Sequence, residues 1–142
     1  MINIEQTKNL SDEELRTQVT VRGLSGLENM GNTCYMNSII QCLTSLDCFR
    51  SWLLKDKYMK QLYQNIVDNM AKIKRKDENK SDNDQIVIKK SDVDTACEET
   101  IVYQLAILMQ TLWHRNYSCR PDSFKKIMNK KIPMFAGFRQ HD

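Results

Sequence analysis

The sequence predicts one mostly α-helical domain of modest size. Apolar residues recur at helical spacing in three stretches: after Cys34, over 58–70 and over about 95–113. Such spacing gives a helix one apolar face, which is buried against its neighbours. The chain of 142 residues is long enough for a single core. Its 41% hydrophobic and 27% charged residues are typical of an ordinary globular domain.

The polar stretch 1–22 is interpreted as an N-terminal extension, with a short helix beginning at 11–14, where Ser-Asp-Glu-Glu forms a capping box. The domain itself is assigned to 23–142. Gly23, Gly26 and Gly31 precede Cys34. Because glycine adopts backbone conformations closed to other residues, this approach is predicted to be a shaped loop.

Five helical segments are predicted after this loop. The first runs from Cys34 to about 46–47, with Met36, Ile39, Ile40, Leu43 and Leu46 on its apolar face. A short second helix carries Phe49, Trp52, Leu53 and Leu54, and the third covers 58–70. High charge and few apolar residues predict a disordered or solvated insertion at about 71–94. One long helix is predicted from Thr95, and another near Pro121 with Asp122 or Ser123 as its cap.

Composition gives no reason to expect a nucleic-acid or membrane partner. The net charge is only +3, whereas nucleic-acid binding favours a clustered basic face with aromatic residues. Apolar runs are only a few residues long, too short to cross a bilayer. The first residues lack the basic start and apolar stretch of a secretory signal. The oligomeric state is left open.

Five cysteines are present: Cys34, Cys42, Cys48, Cys97 and Cys119. Their odd number and irregular spacing favour free thiols in a reducing compartment, the cytoplasm or the nucleus. No C-x-x-C pair occurs, so no metal site is expected. No pattern in the sequence indicates a cofactor.

Cys34 is the candidate nucleophile. It lies where a polar loop meets the first turn of a predicted helix. The unpaired N–H groups and the positive end of the macrodipole at that place favour negative charge, and thus the nucleophilic thiolate. Asn32, in the same loop, is predicted to cap the helix.

The stretch from Gly26 through Ser38, continued by Ile39–Leu43, resembles the Cys box of the ubiquitin-specific proteases, which are papain-like cysteine deubiquitinases. Segments 101–113 and 135–142 also resemble this family. The resemblance covers about 23–142, with a gap over the charged insertion. It implies the helical, thumb-like N-terminal part of a papain-like α+β cysteine protease domain, truncated before its β-rich half.

By this resemblance, the chain is a fragment of a deubiquitinase that cleaves isopeptide bonds after the C-terminal glycine of ubiquitin. Its partners would be ubiquitin and ubiquitinated proteins. Cys34 would be the nucleophile, and the side-chain amide of Asn29 would help form the oxyanion hole. Asn29 has an alternative interpretation as a turn residue that satisfies its own loop backbone. Gln140 and Asp142 match a motif whose Asp binds the ubiquitin tail.

The base required for this chemistry is not evident. The chain has two histidines, His114 and His141, and neither occupies the family's His-box position. The fragment is therefore expected to be inactive alone. The alternative hypothesis is a non-catalytic ubiquitin-binding or scaffold module, and a helical domain carrying a relic motif is a third.

Overall fold

A computed structural model describes residues 23–77, 86–115 and 117–135. The helices are α1 (Cys34–Ser45), α2 (Asp47–Leu54), α3 (Met59–Asp77), α4 (Lys90–Glu98), α5 (Ile101–His114) and α6 (Asp122–Lys131), followed by a 3-10 turn at Pro133–Phe135. The expected mostly helical fold is confirmed. None of the helices in this part of the chain is long and apolar enough to span a membrane. The predicted extension at 1–22 lies outside the described residues.

The core lies where α1, α2, α5 and α6 meet. Its buried side chains include Met36 and Ile40 of α1, Leu53 of α2, Ala106 and Met109 of α5, and Phe124 and Met128 of α6. Most of these come from the helical stretches recognised in the sequence. Three predicted apolar-face residues are instead exposed: Ile39 by 60%, Leu46 by 52% and Trp52 by 37%. Their prediction as core residues is therefore wrong in this structure.

The region predicted as one helix from Thr95 consists of two helices. The first, α4, ends at Glu98, and α5 begins at Ile101. Thr100 separates them, and its Oγ1 accepts a hydrogen bond of 3.3 Å from the N–H of Tyr103. A threonine side chain that caps a new helix competes with continuation of the old one. Apolar periodicity does not detect this local bond, and for that reason it predicted a single helix.

The bounds predicted for the charged insertion also differ from the structure. Helix α3 continues through the basic residues to Asp77, and α4 begins at Lys90. Lysine, arginine and alanine are good helix formers, and Lys74 and Arg75 suit the negative C-terminal end of the helix. At the other side, the buried Val93 anchors α4. Residues 78–85 lie outside the described chain.

The cap predicted for the last helix is not formed. Pro121 occupies the cap position of α6, and no side chain makes a capping bond there. Asp122 instead lies in the first turn, where its carboxylate pairs with the guanidinium of Arg120 at 3.2 Å. A carboxylate in the first turn still complements the positive end of the helix.

Candidate active site

The segment that precedes Cys34 is anchored to a distant part of the chain. Leu27 and Cys119 form an isolated parallel bridge. The N–H of Glu28 donates to the Cys119 carbonyl at 3.0 Å, and the N–H of Cys119 donates to the Gly26 carbonyl at 2.9 Å. The hydroxyl of Ser25 also donates to the backbone carbonyl of Arg115. These bonds fix the loop against the segment that connects α5 to α6.

Two amide side chains of α1 hold the same segment from the other side. Asn37 Nδ2 donates to the Glu28 carbonyl at 3.0 Å, and Gln41 Nε2 donates to the Ser25 carbonyl at 3.1 Å. Because these residues are four apart on a helix, they lie on one face. The incoming chain therefore runs along α1, held by side chains of the helix that it leads into.

A tight turn closes the loop directly before Cys34. Gly31 has a φ of 89° and Asn32 a φ of 51°. Glycine adopts positive φ without a steric penalty, and asparagine tolerates it better than most residues. The predicted capping role of Asn32 is wrong, because Thr33 occupies the cap position and no side chain makes a capping bond to α1.

Cys34 is the first residue of α1, and its side chain is exposed. The thiol therefore lies at the positive end of a helix, as predicted, and the structure adds that it is open to solvent. The first backbone bond of the helix joins the N–H of Asn37 to the Thr33 carbonyl at 2.9 Å. This arrangement suits a thiol that attacks an incoming carbonyl group.

Asn29 lies in the turn with its side-chain oxygen engaged. Oδ1 accepts one bond of 3.0 Å from the N–H of Thr33 and another of 3.1 Å from the Thr33 hydroxyl. These contacts agree with the interpretation of Asn29 as a turn residue. They leave Nδ2 without a hydrogen-bond partner among the described residues. One side chain can thus hold the turn with its oxygen and offer its N–H groups to a ligand.

Of the two histidines of the chain, the structure describes only His114. His114 is the last residue of α5 and is exposed, and no hydrogen bond or ion pair joins it to another described residue. Gln140, His141 and Asp142 lie outside the described residues. The part of the chain that the structure describes contains no group of three or more His, Cys, Asp or Glu residues arranged to hold a metal ion.

A cleft of about 400 Å³, lined mostly by charged and polar residues, opens beside the turn. Its lining residues are Met30, Thr33, Arg120, Asp122, Lys125, Lys126 and Asn129. Lys125 is buried, and its Nζ donates to the Tyr35 hydroxyl at 3.1 Å and to the Phe135 carbonyl at 2.9 Å. This ammonium group ties α6 and the end of the described chain to the residue that follows Cys34.

A second, apolar cleft of about 300 Å³ is lined in part by Tyr35. The exposed Ile39 lines it together with Leu43 and Phe135. The rings of Tyr35 and Phe135 stack with centroids 5.7 Å apart. The apolar face of α1 is therefore only partly covered by the described residues.

Sequence reasoning missed Thr33, Asn37, Gln41 and Lys125. The first three stand inside the recognised motif, but the motif assigned roles only to Asn29 and Cys34. The polar pair at i and i+4 on α1 was a usable signal, because amides on one face of an otherwise apolar helix need partners. Lys125 carries no such signal, since lysine is usually exposed.

The cysteines are expected to differ sharply in reactivity. Cys34, Cys42 and Cys48 are exposed, whereas Cys97 is buried. Burial raises the pKa of the Cys97 thiol, and the carboxylates of Asp94 and Glu98 raise it further. A raised pKa leaves less thiolate at a given pH, so alkylation slows. At about pH 8, peptide mapping after brief iodoacetamide treatment should find the three exposed thiols modified first.

Cys119 should lag with Cys97, because burial also raises the pKa of the Cys119 thiol. The urea-unfolded chain is the control, in which all five thiols should react at similar rates. If native Cys97 reacts as fast as Cys42, the burial described for α4 is wrong.

Comparison with known proteins gives a consistent result. A family model described as "Ubiquitin carboxyl-terminal hydrolase" matches residues 25–142. The chain is 31% identical over 125 residues to human ubiquitin carboxyl-terminal hydrolase 2, a match that covers 87% of this chain and 16% of that protein. It is 31% identical over 121 residues to ubiquitin carboxyl-terminal hydrolase 15 of Xenopus tropicalis, covering 84% and 10%.

A viral relative is also similar. The chain is 29% identical over 140 residues to a probable ubiquitin carboxyl-terminal hydrolase of Acanthamoeba polyphaga mimivirus, and the match covers 84% of this chain and 30% of that protein. The chain thus spans between 10% and 30% of the length of these three relatives.

Proposed function

Because the chain belongs to the ubiquitin carboxyl-terminal hydrolase family, we propose that it carries the nucleophile of a thiol-dependent deubiquitinase. The reaction is hydrolysis of the isopeptide bond after the C-terminal glycine of ubiquitin, and the substrates are ubiquitin and ubiquitinated proteins. The main supporting observation is the exposed Cys34 thiol on the first residue of α1.

The proposed chemistry begins with attack by the Cys34 thiolate on the carbonyl carbon of the isopeptide bond. The resulting oxyanion accepts a hydrogen bond from Asn29 Nδ2. The C–N bond then breaks as a base, now protonated, gives its proton to the leaving amine. Water hydrolyses the thioester that remains and releases ubiquitin with a free C-terminal carboxylate.

The proposal assigns the base to a residue outside the described part of the chain. His114 is unsuited, because it is exposed at the C-terminal end of α5 and no other described residue makes a hydrogen bond that would orient its ring. Gln140 and Asp142 are proposed to bind the extended ubiquitin tail, since a carboxylate pairs well with basic side chains in a substrate segment. The three exposed free thiols support a reducing location, the cytoplasm or the nucleus.

The unsuitability of His114 also supports a second candidate, a non-catalytic ubiquitin-binding module. A ubiquitin titration followed by calorimetry, together with a cleavage assay on ubiquitin conjugates, distinguishes the two. Tight binding without cleavage by the full-length protein favours the module.

The direct test of the enzyme proposal uses ubiquitin with a thiol-reactive electrophile at its C-terminus. The full-length protein should form one covalent adduct, and peptide mapping should find it on Cys34. An adduct on Cys42 or Cys48, or no adduct at all, contradicts the assignment.

A further inference from the structure

We propose that Thr33 is a positioning residue, which fixes the side-chain amide of Asn29 so that Nδ2 faces the carbonyl oxygen of the substrate bound at Cys34. This inference rests on the proposed function, because it concerns how the oxyanion donor of that reaction is held. It assigns a role to a residue that the motif itself leaves unexplained.

The contacts of Thr33 are those of an organising residue. Its side chain is buried, with only 1% of the residue exposed. Its backbone N–H and its hydroxyl both donate to Oδ1 of Asn29, at 3.0 Å and 3.1 Å. The same hydroxyl oxygen accepts a 3.0 Å bond from the N–H of Met30. One buried hydroxyl thereby joins both ends of the turn.

These bonds determine which end of the Asn29 amide faces inward. A backbone N–H can only donate, so it requires the oxygen of the amide and not its NH₂ group. The oxygen of the Thr33 hydroxyl accepts the bond from Met30, and the proton of the same hydroxyl is donated to Asn29 Oδ1. A flipped amide would set two donors against each other. With Oδ1 fixed by two bonds, Nδ2 must face away from Thr33.

Thr33 also fixes the nucleophile. Its carbonyl accepts the first backbone bond of α1, from the N–H of Asn37 at 2.9 Å. The next residue is Cys34, the first residue of the helix. One residue thus sets the positions of both the thiol and the amide. Catalytic groups must be held to about 0.5 Å for a site to work, and a shared anchor meets that need.

The need for an anchor follows from the exposure of Asn29. The residue is exposed, and an exposed side chain has rotamers to lose when it is ordered. Two bonds from a buried neighbour order it before substrate arrives. A preorganised donor stabilises the transition state without further reorganisation.

The test compares Thr33→Val with Thr33→Ser in the full-length protein, using ubiquitin with a fluorogenic amide at its C-terminus. Thr33→Val removes the hydroxyl while keeping the shape of the side chain. We expect kcat to fall by about tenfold to a hundredfold, part of the roughly 10²- to 10³-fold effect of losing an oxyanion donor, with KM nearly unchanged. Thr33→Ser keeps the hydroxyl and should restore kcat to within about threefold of the original.

A parallel measurement separates positioning from damage to the nucleophile. Alkylation of Cys34 by iodoacetamide is a displacement at carbon that forms no oxyanion. Its rate should therefore be almost the same in Thr33→Val and the unmodified protein. A large fall in this rate would mean that the substitution disturbs Cys34 itself, and the proposal would be wrong.

The decisive measurement is a double-mutant cycle, in which the effect of Thr33→Val on kcat is compared with and without the Asn29 side chain. If Thr33 acts through Asn29, Thr33→Val should have little further effect on kcat in an Asn29→Ala background. An equal fall in both backgrounds would overturn the proposal. Should Thr33→Val show no cooperative thermal transition, the cycle is run with Thr33→Ala.

Asn29→Asp tests the donor role of the Asn29 amide without any change at Thr33. The carboxylate still accepts both bonds from Thr33 but has no N–H to donate. It should fold normally and lose at least tenfold in kcat, as expected for a lost oxyanion donor. An unchanged kcat would overturn the proposal, whereas cleavage that survives Cys34→Ala would instead overturn the proposed function.

Discussion

Cys34→Ala is expected to abolish cleavage of ubiquitin conjugates by the full-length protein and to prevent covalent capture by an electrophilic ubiquitin probe. Alanine has no nucleophile, and loss of the nucleophile in a comparable acyl-transfer enzyme lowers kcat by a factor on the order of 10⁶. The structure gives no reason to expect a compensating thiol, because Cys42 lies two turns further along α1. Cleavage is measured by gel densitometry of a ubiquitin dimer, and capture by intact mass.

The matched control is Cys42→Ala. Cys42 is also exposed and also belongs to α1. It should therefore share any general effect of cysteine removal on the helix. Cleavage should be nearly unchanged in this variant. Substantial cleavage by Cys34→Ala, or its loss in Cys42→Ala alone, would move the nucleophile to another residue.

Stability should depend most strongly on the middle of α5. Met109 is fully buried, at 0% exposure, in the cluster that joins α5 to α1, α2 and α6. Met109→Ala removes buried methylene groups and leaves a cavity, which costs about 2–5 kcal/mol of unfolding free energy in comparable cores. In urea, the midpoint of unfolding should fall while its slope is unchanged.

Ile107→Ala on the same helix is the control, because Ile107 is 42% exposed. It changes helix propensity and side-chain size without opening a closed cavity, so its effect should be below about 1 kcal/mol. Equal losses at the two positions would mean that α5 does not pack through the face described here. Circular dichroism at 222 nm follows the transition in both variants.

The sequence was sufficient for the elements whose signals are local. Helical spacing predicted α1, α2 and the start of α3, and the position of Cys34 at the first turn is confirmed. The break before α5 was not predictable from spacing, because a single capping threonine decides it. The exposure of Ile39 was also missed. Periodicity shows which face of a helix is apolar, but not how much of that face its neighbours cover.

Prediction of the site from the sequence was limited in the same way, because local patterns do not show contacts between elements. The motif predicted a nucleophile and an oxyanion donor, yet it could not distinguish the turn role of Asn29 from the donor role. In the structure the oxygen holds the turn, while Nδ2 has no hydrogen-bond partner among the described residues. Lys125 was invisible in the sequence, because its burial depends on Tyr35 and Phe135 from other elements. Long-range contacts of this kind have no local pattern.

The bonds that anchor the loop before Cys34 to the segment after α5 have a consequence for the order of events during protein synthesis. The bond between Ser25 and Arg115 spans 90 residues of sequence. At about 5–20 residues per second, the ribosome makes the anchor roughly 5–20 s after the loop that it holds. Throughout that interval α1 can form, but the loop beside the Cys34 thiol has not yet met the segment that contains Arg115 and Cys119. A newly made chain therefore carries the Cys34 thiol for several seconds before the loop beside that thiol is anchored.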